Sequence, residues 1–272
     1  MAIITISRGS LSGGARLAEI VAKKLGYDCV SREFLVEAAE HYGMKKEDLV
    51  FALEKPPSFW ERITHGRRVY LSIIRAALLE RASSGNLVYH GHAGHFLLKQ
   101  VGCVLKVRLL ASMEMRIKAA MEQKGLDRES AIQYIQTVDD ARTRWTRYLY
   151  GVEWNDPSNF DIVLNLGTMT IETAANLILQ AIEAPEFRVC EACMKELQNL
   201  TLAAKVEAAL AVDRRTKTVE LDIRAEDGAV LLGGRIEAET MRPTIVEIVK
   251  SVPGVKSVRD EMVVKSLSPI PT

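Results

Sequence analysis

The sequence predicts an α/β chain: a parallel sheet with helices on both faces, followed by a small α+β module of order α-β-β-α-β. Three observations carry this. Up to about residue 182, short apolar strand signals alternate with runs of helical period, the grammar of a parallel sheet covered on both sides. Pro185 then stops the last of these helices. Beyond about residue 197 the pattern changes to strict alternation at Val219, Leu221 and Ile223, the period of a half-buried strand.

Ala2 to Ile6 is the first strand signal, and it runs into Ser7-Arg8-Gly9-Ser10-Leu11-Ser12-Gly13-Gly14. Leu17, Ile20, Val21 and Leu25 then share one helical face, and Gly26 ends that helix. Tyr27 to Val30 is a second strand, and Ser31 can cap a second helix. Residues 44–84 read as helical, with an interruption at Pro56-Pro57. Strands follow at Asn86–Gly91, Val104–Leu110 and Asp161–Asn165, with helical runs at 93–100, 112–124 and 128–150 between them. A helix with Ile171, Ala174, Ala175, Ile178 and Ile182 on one stripe closes the block. The second module reads as a helix through Leu202 and Val206, then a hairpin turning at Asp227-Gly228 through a loop of more than two residues. A helix through Ile245 and Val249 and a last strand with Val258 and Met262 complete it. The domains expected are 1–184, a linker at 185–197, a module at 198–266 and a tail at 267–272.

Composition narrows the function. The chain has 272 residues, 48% hydrophobic and 26% charged, with a formal charge of +1. It can bury a core, which excludes a disordered or collagen-like chain. The bulk charge does not supply the basic surface that strong non-specific nucleic-acid binding needs, though a local basic cluster can still exist; no specific nucleic-acid partner is expected. The N-terminus lacks the charged and apolar regions of a signal peptide, and no run is long enough to span a bilayer. The four cysteines, Cys29, Cys103, Cys190 and Cys193, are too dispersed for a disulfide framework. A cytoplasmic protein is expected.

Four motifs carry chemistry. Gly9 and Gly14 have the G-x-x-x-x-G spacing of a turn that either only serves tight packing or binds phosphate, its backbone amides and helix N-terminus converging on anionic oxygens. The lysine and Ser/Thr that complete that motif are here Ala15 and Arg16. Gly91-His92-Ala93-Gly94-His95 ends a strand with histidines that could meet a metal or a phosphate, or could simply be a solvated glycine turn. No third ligand has sensible spacing, so no metal ligand is assigned. Asp139 to Tyr148 holds Arg142, Arg144 and Arg147 on a helix, either a solvated face or a set of arginines brought over phosphates, with Arg144 placed to pair with Asp140. Cys190-Glu-Ala-Cys193 could be half a zinc site or a redox pair, but two unrelated linker thiols is the preferred interpretation.

Together these marks resemble the cytidylate kinase-like family, a branch of the P-loop nucleoside monophosphate kinases, over about residues 1–184. The resemblance rests on Ile-Thr-Ile-Ser-Arg with Ser-Gly-Gly, Gly26-Tyr27 with Arg32-Glu33, Gly91-His92-Ala93, and Tyr148 to Pro157 followed by Phe160 to Asn165. Residues 198–266 resemble a BON domain, through Asp227-Gly228-x-Val230-x-Leu232-x-Gly234 and Val252-Pro-Gly254-Val255. The resemblance implies five parallel strands with a helical lid. It also implies ATP as phosphoryl donor, Mg²⁺, and a small phosphate acceptor such as CMP or dCMP. Gly9, Ser10, Ser12, Gly13, Gly14 and Arg16 would bind the nucleotide. Arg32 and His92 would lie at the acceptor, and Arg142, Arg144 and Arg147 would be the lid arginines. Position 92 is usually arginine in the family and position 31 usually Asp; position 15 is the P-loop lysine slot, whose lysine many members replace, so that Arg16 or a lid arginine would substitute. The rival expectation is a degenerate nucleotide-binding sensor whose BON-like module binds a protein partner or a membrane surface.

Overall fold

The computed structural model describes residues 1–31, 66–91 and 94–265. The second helix expected after Ser31, the first part of the 44–84 run, Arg32, His92 and the tail lie outside the described residues.

The first lobe is a five-stranded parallel sheet of order β2-β3-β1-β4-β5. Its strands are β1 (Ala2–Arg8), β2 (Asp28–Ser31), β3 (Asn86–Gly91), β4 (Val104–Leu110) and β5 (Ile162–Asn165). The helices are α1 (Gly14–Leu25), α2 (Gly66–Ala82), α3 (Gly94–Leu97), α4 (Met113–Lys124), α5 (Arg128–Tyr150) and α6 (Ile171–Ala181). The central strands β1, β3 and β4 are largely apolar on both sides because both faces are covered there, while the edge strands β2 and β5 are partly exposed. Ile4, Ile6, Val88, Leu105, Val107 and Leu109 pack under α1 and α6. Ile3, Leu87, Tyr89 and Val104 pack under α2, with Trp145 and Leu149 of α5. Helix ends follow local chemistry. Ser112 and Asp127 cap α4 and α5 by accepting amide bonds from Met115 and Ser130, and Gly26, Gly125 and Gly151 end α1, α4 and α5 in the left-handed region.

The second lobe is α7 (Glu191–Val212), β6 (Leu221–Glu226), β7 (Ala229–Ile236), α8 (Met241–Ser251) and β8 (Ser257–Val264), with sheet order β6-β7-β8. The hairpin loop is two residues, not longer. Glu226 pairs with Ala229, and Asp227 and Gly228 both have positive φ, 50° and 91°. That is the two-residue turn whose twist matches the strands it joins.

The stretch expected to be a linker is ordered differently. Residues 185–187 form a 3-10 turn, and α7 begins at Glu191. This helix serves both lobes. Cys193, Leu197, Ala204 and Ala208 join the first lobe's core, while Val206 and Leu210 join the second lobe's core. Lys205 pairs with Glu80 of α2, and Ser83 and Thr201 share a hydrogen bond of 3.0 Å. The two cysteines expected to be unrelated thiols are also separated in role. Cys193 forms a disulfide with Cys103, the Cα atoms 6.4 Å apart, while Cys190 is an exposed thiol at the N-cap of α7. The two sulfurs that pair lie 90 residues apart in sequence, which spacing alone cannot reveal. Among the described residues no helix is long and apolar enough to cross a membrane.

Candidate functional site

The turn from Gly9 to Gly14 leaves the carboxyl end of β1, the central strand, and opens α1. Ligands of open α/β sheets gather at that edge. Two left-handed residues shape the turn: Leu11 at φ 56° and Gly13 at φ 81°. Gly13 is the N-cap, and its carbonyl accepts from Leu17 N at 3.0 Å. Ser12 Oγ closes the turn on the Gly9 carbonyl at 3.0 Å. Gly14 is held without a side chain by close packing. A Cβ there would sit 2.2 Å from Arg8 Cδ and 2.8 Å from Arg8 Cβ. Gly14→Val is therefore expected to displace Arg8, destabilise the fold by about 1–3 kcal/mol and weaken ATP binding. Unchanged urea midpoints and ATP affinity would show that Arg8 adapts freely.

Three guanidinium groups surround this turn. Arg116 of α4 donates from Nε to the Ser10 carbonyl at 2.8 Å and from Nη2 to Ser10 Oγ at 2.6 Å. The same Nη2 meets Asp139 Oδ2 of α5 at 2.5 Å, and Ser10 Oγ lies 3.0 Å from Asp139 Oδ1. Arg142 Nη1 donates to the Arg8 carbonyl at 3.2 Å. Arg108 of β4 stands opposite Ser7 in the ladder and is 5% exposed. Its Nη1 donates to Ser7 Oγ at 3.2 Å and its Nη2 to Asn155 Oδ1 at 2.6 Å, and Cζ lies 3.8 Å from the centre of the Trp154 ring. Trp154 is fixed in turn by its Nε1–H donating to Thr143 Oγ1 at 2.9 Å. A cavity of about 300 Å³ is lined by Gly9, Ser12, Arg108, Arg116 and Asp139 among others. Burial pulls Arg108 down to about 10. Asp139 opposes that shift, and Arg142 and Arg116 add to it. At neutral pH the guanidinium is still charged.

The expected lid set divides. Arg142 reaches the turn, but Arg144 and Arg147 are exposed. Arg147 pairs with Glu153, its Nε at 2.9 Å, and Arg144 makes no ion pair with Asp140. The reason is helical period: at about 100° per residue, Arg144 projects roughly opposite Arg142, and Asp139, Arg142 and Thr143 form the inward face. Arg144→Ala and Arg147→Ala are expected to leave turnover within about threefold of wild type. Steady-state kinetics would contradict this with a hundredfold loss in either. Arg16, expected at the phosphates, is exposed on the first turn of α1. Sequence reasoning missed Arg108, Arg116 and the Trp154–Asn155 pair as site residues. Arg108 left a signal, a charged residue in the otherwise apolar second half of β4, and Trp154–Asn155 lies in the Tyr148 to Pro157 stretch that carried the family resemblance; Arg116 left none.

His95, at the second position of α3, is 3% exposed and stacks near Phe96 and Phe160 at 3.9 and 4.5 Å. Burial, with Arg108 and Lys106 nearby, pushes its imidazole down to about 3. It is neutral in the fold, so it is not a solvated histidine. Between pH 6.5 and about 3 the unfolded imidazole binds a proton that the folded one refuses, so stability rises with pH there. The slope from this group is at most about 1.4 kcal/mol per pH unit. His95→Phe should flatten the urea-midpoint profile over that range; an unchanged slope would contradict it.

Comparison with known proteins gives the family. The sequence profile of the Cytidylate kinase-like family matches residues 3–168, and that of the BON domain matches residues 198–266. A protein named cytidylate kinase from Pyrobaculum aerophilum is 25% identical over 180 residues, covering 66% of this chain and 91% of that protein. One of the same name from Staphylothermus marinus is 27% identical over 190 residues, covering 67% and 97%. An uncharacterized protein from Eubacterium ventriosum superposes with a TM-score of 0.54 at 20% identity, over 67% of this chain and 98% of its own; that likeness concerns the fold alone. The chain belongs to the cytidylate kinase-like family and carries a BON domain at its C-terminal side.

Proposed function

We propose that the protein is a phosphotransferase that moves the γ-phosphoryl group of ATP to a small acceptor, CMP or dCMP first. One observation carries this: at the carboxyl edge of the sheet Arg116 bonds to Ser10 of the turn Gly9–Gly14, and Arg108 and Arg142 bond to Ser7 and to the Arg8 carbonyl at the end of β1 just before it. Phosphoryl transfer asks a protein mainly to align the reactants and to neutralise the oxygens that carry charge in the transition state. The backbone of Gly9, Ser10, Ser12, Gly13 and Gly14 would hold the donor phosphates. Arg116, fixed on Ser10 and Asp139, and Arg142 would meet the group in transit. The proteins named cytidylate kinase are the ground for choosing a cytidine acceptor, and Arg32 and His92 would stand on its side.

Mg²⁺ fits the donor set in one respect. Two carboxylates line the cavity, Asp140 and Asp139, of which Asp139 is already bonded to Ser10 and Arg116, and this ion ordinarily binds one or two carboxylates together with phosphate oxygens. Bound there it would neutralise phosphate charge. Ser12 Oγ, engaged with the Gly9 carbonyl, would have to turn to join it. The BON domain would bind a ligand, a protein or a membrane surface.

A second reading, a nucleotide sensor without turnover, is favoured by Ala15 in the lysine slot and by the exposed Arg16. Turnover assays of the full chain with ATP, Mg²⁺ and a panel of nucleoside monophosphates separate the two. CMP and dCMP should be the best acceptors; ATP binding with no acceptor turned over would leave the sensor.

A further inference from the structure

Position 15 leaves the phosphate turn without the cation that usually completes it. The first turn of α1 offers Ala15, and Arg16 points to solvent. A replacement charge has to come from another element. Arg108 is such a charge, and its surroundings are unusual. It lies inside the sheet layer, 5% exposed. Among the described residues it makes no ion pair. Asp139, the carboxylate that favours its charged form, is already bonded to Arg116.

A buried cation without a salt-bridge partner is costly to the fold. Neutral groups hold this one in place: Ser7 Oγ and Asn155 Oδ1 each accept one bond, and the Trp154 ring lies against the guanidinium. Those two bonds use two of its five N–H groups. A guanidinium with N–H groups left over can make a planar, forked contact with phosphate oxygens. Arg108 also lines the same cavity as Gly9 and Ser12 of the turn.

We propose that Arg108 binds the terminal phosphate of a polyphosphate chain lying in the Gly9–Gly14 turn, supplying from β4 the charge that α1 lacks. The choice of a polyphosphate rests on the phosphotransferase reading of the site; the anion site itself does not. Arg116 and Arg142 approach the turn from the helical side, and Arg108 approaches it from the sheet. Three cations from three elements would then enclose one phosphate.

The test is calorimetry on the full chain with two probes, inorganic tripolyphosphate and CMP, at constant ionic strength. Arg108→Gln should lose about tenfold or more in tripolyphosphate affinity, and Arg108→Lys, which keeps the charge, about threefold or less. CMP affinity should stay within about twofold in both. Tripolyphosphate binding within about twofold of wild type in a folded Arg108→Gln protein would overturn the proposal. So would a loss confined to CMP, which would assign Arg108 to the acceptor's phosphate. Should Arg108→Gln fail to fold, the wild-type protein decides. The ¹⁵N resonance of Arg108 Nε must shift on tripolyphosphate titration, and an unmoved resonance refutes the contact. Tripolyphosphate binding that depends on Arg108, in a protein with no transfer to any monophosphate, would remove the kinase reading and leave this site standing.

Discussion

Arg116→Ala is expected to lower kcat by about 10²–10³, the usual effect of deleting one donor aimed at developing negative charge. The side chain is 12% exposed and makes three bonds at once, to the Ser10 carbonyl, Ser10 Oγ and Asp139. It is therefore set in place before any ligand arrives, which is the condition for strong electrostatic stabilisation. The variant also strands Asp139, leaving a half-buried carboxylate beside Ser10 without its cation. Part of the loss will be structural, and Arg116→Lys separates the parts. Lysine restores a charge near Asp139 but not the fork that reaches Ser10 twice. Thermal midpoints should recover in Arg116→Lys while kcat stays well below wild type. If kcat in Arg116→Ala stays within about threefold of wild type, Arg116 is a strut between α4 and the turn and nothing more.

Loss of the Cys103–Cys193 disulfide is the second large effect. The bond closes a loop with a sequence separation of 90. Chain-entropy arithmetic for a loop of that size gives about 4–5 kcal/mol of stabilisation through the unfolded state. Cys193 is 7% exposed and packs in the same core as Leu197, Ala204 and Ala208 of α7. The bond therefore fixes the N-terminal half of α7 to the first lobe, beside the Ser83–Thr201 and Lys205–Glu80 contacts. Cys193→Ser should lower the urea midpoint markedly, and reductant should do the same to wild type but not to the variant. Equal midpoints for wild type with and without reductant would show that the disulfide carries no stability.

Much of the fold was legible in the sequence, for physical reasons that differ by element. The strands β1, β3 and β4 are largely apolar, Lys106 and Arg108 in β4 excepted, because both sheet faces are covered, and such runs stand out against polar loops. α5 was legible end to end, since Asp127 and Gly151 bracket it as cap and stop. α7 was not. Its first turns, Glu191 to Glu196, are polar where they face solvent, and Pro185 suggested a break. Only the packing against α2 shows that the helix begins there. The hairpin loop was overestimated because strand pairing continues to Glu226 and Ala229, beyond the apolar alternation.

The site was legible where a motif is local and illegible where it is assembled across the chain. The glycine spacing from Gly9 to Gly14 marked the phosphate turn. Arg142 was found along with two neighbours that the helical period turns away from it. Arg108 and Arg116 come to the turn from about a hundred residues downstream, through β-sheet register and helix packing. No spacing rule on a single sequence connects them to Ser7 and Ser10.

The central claim is that a phosphoryl group leaves ATP at this turn and reaches a cytidine acceptor. The measurement that meets it most directly follows the label. The full chain is incubated with [γ-³²P]ATP, Mg²⁺ and CMP, and the products are separated. The account predicts label in CDP, formed by wild type and reduced about a hundredfold or more by Arg116→Ala. Label that remains in ATP with CMP and dCMP alike, in a protein that demonstrably binds ATP, would contradict it.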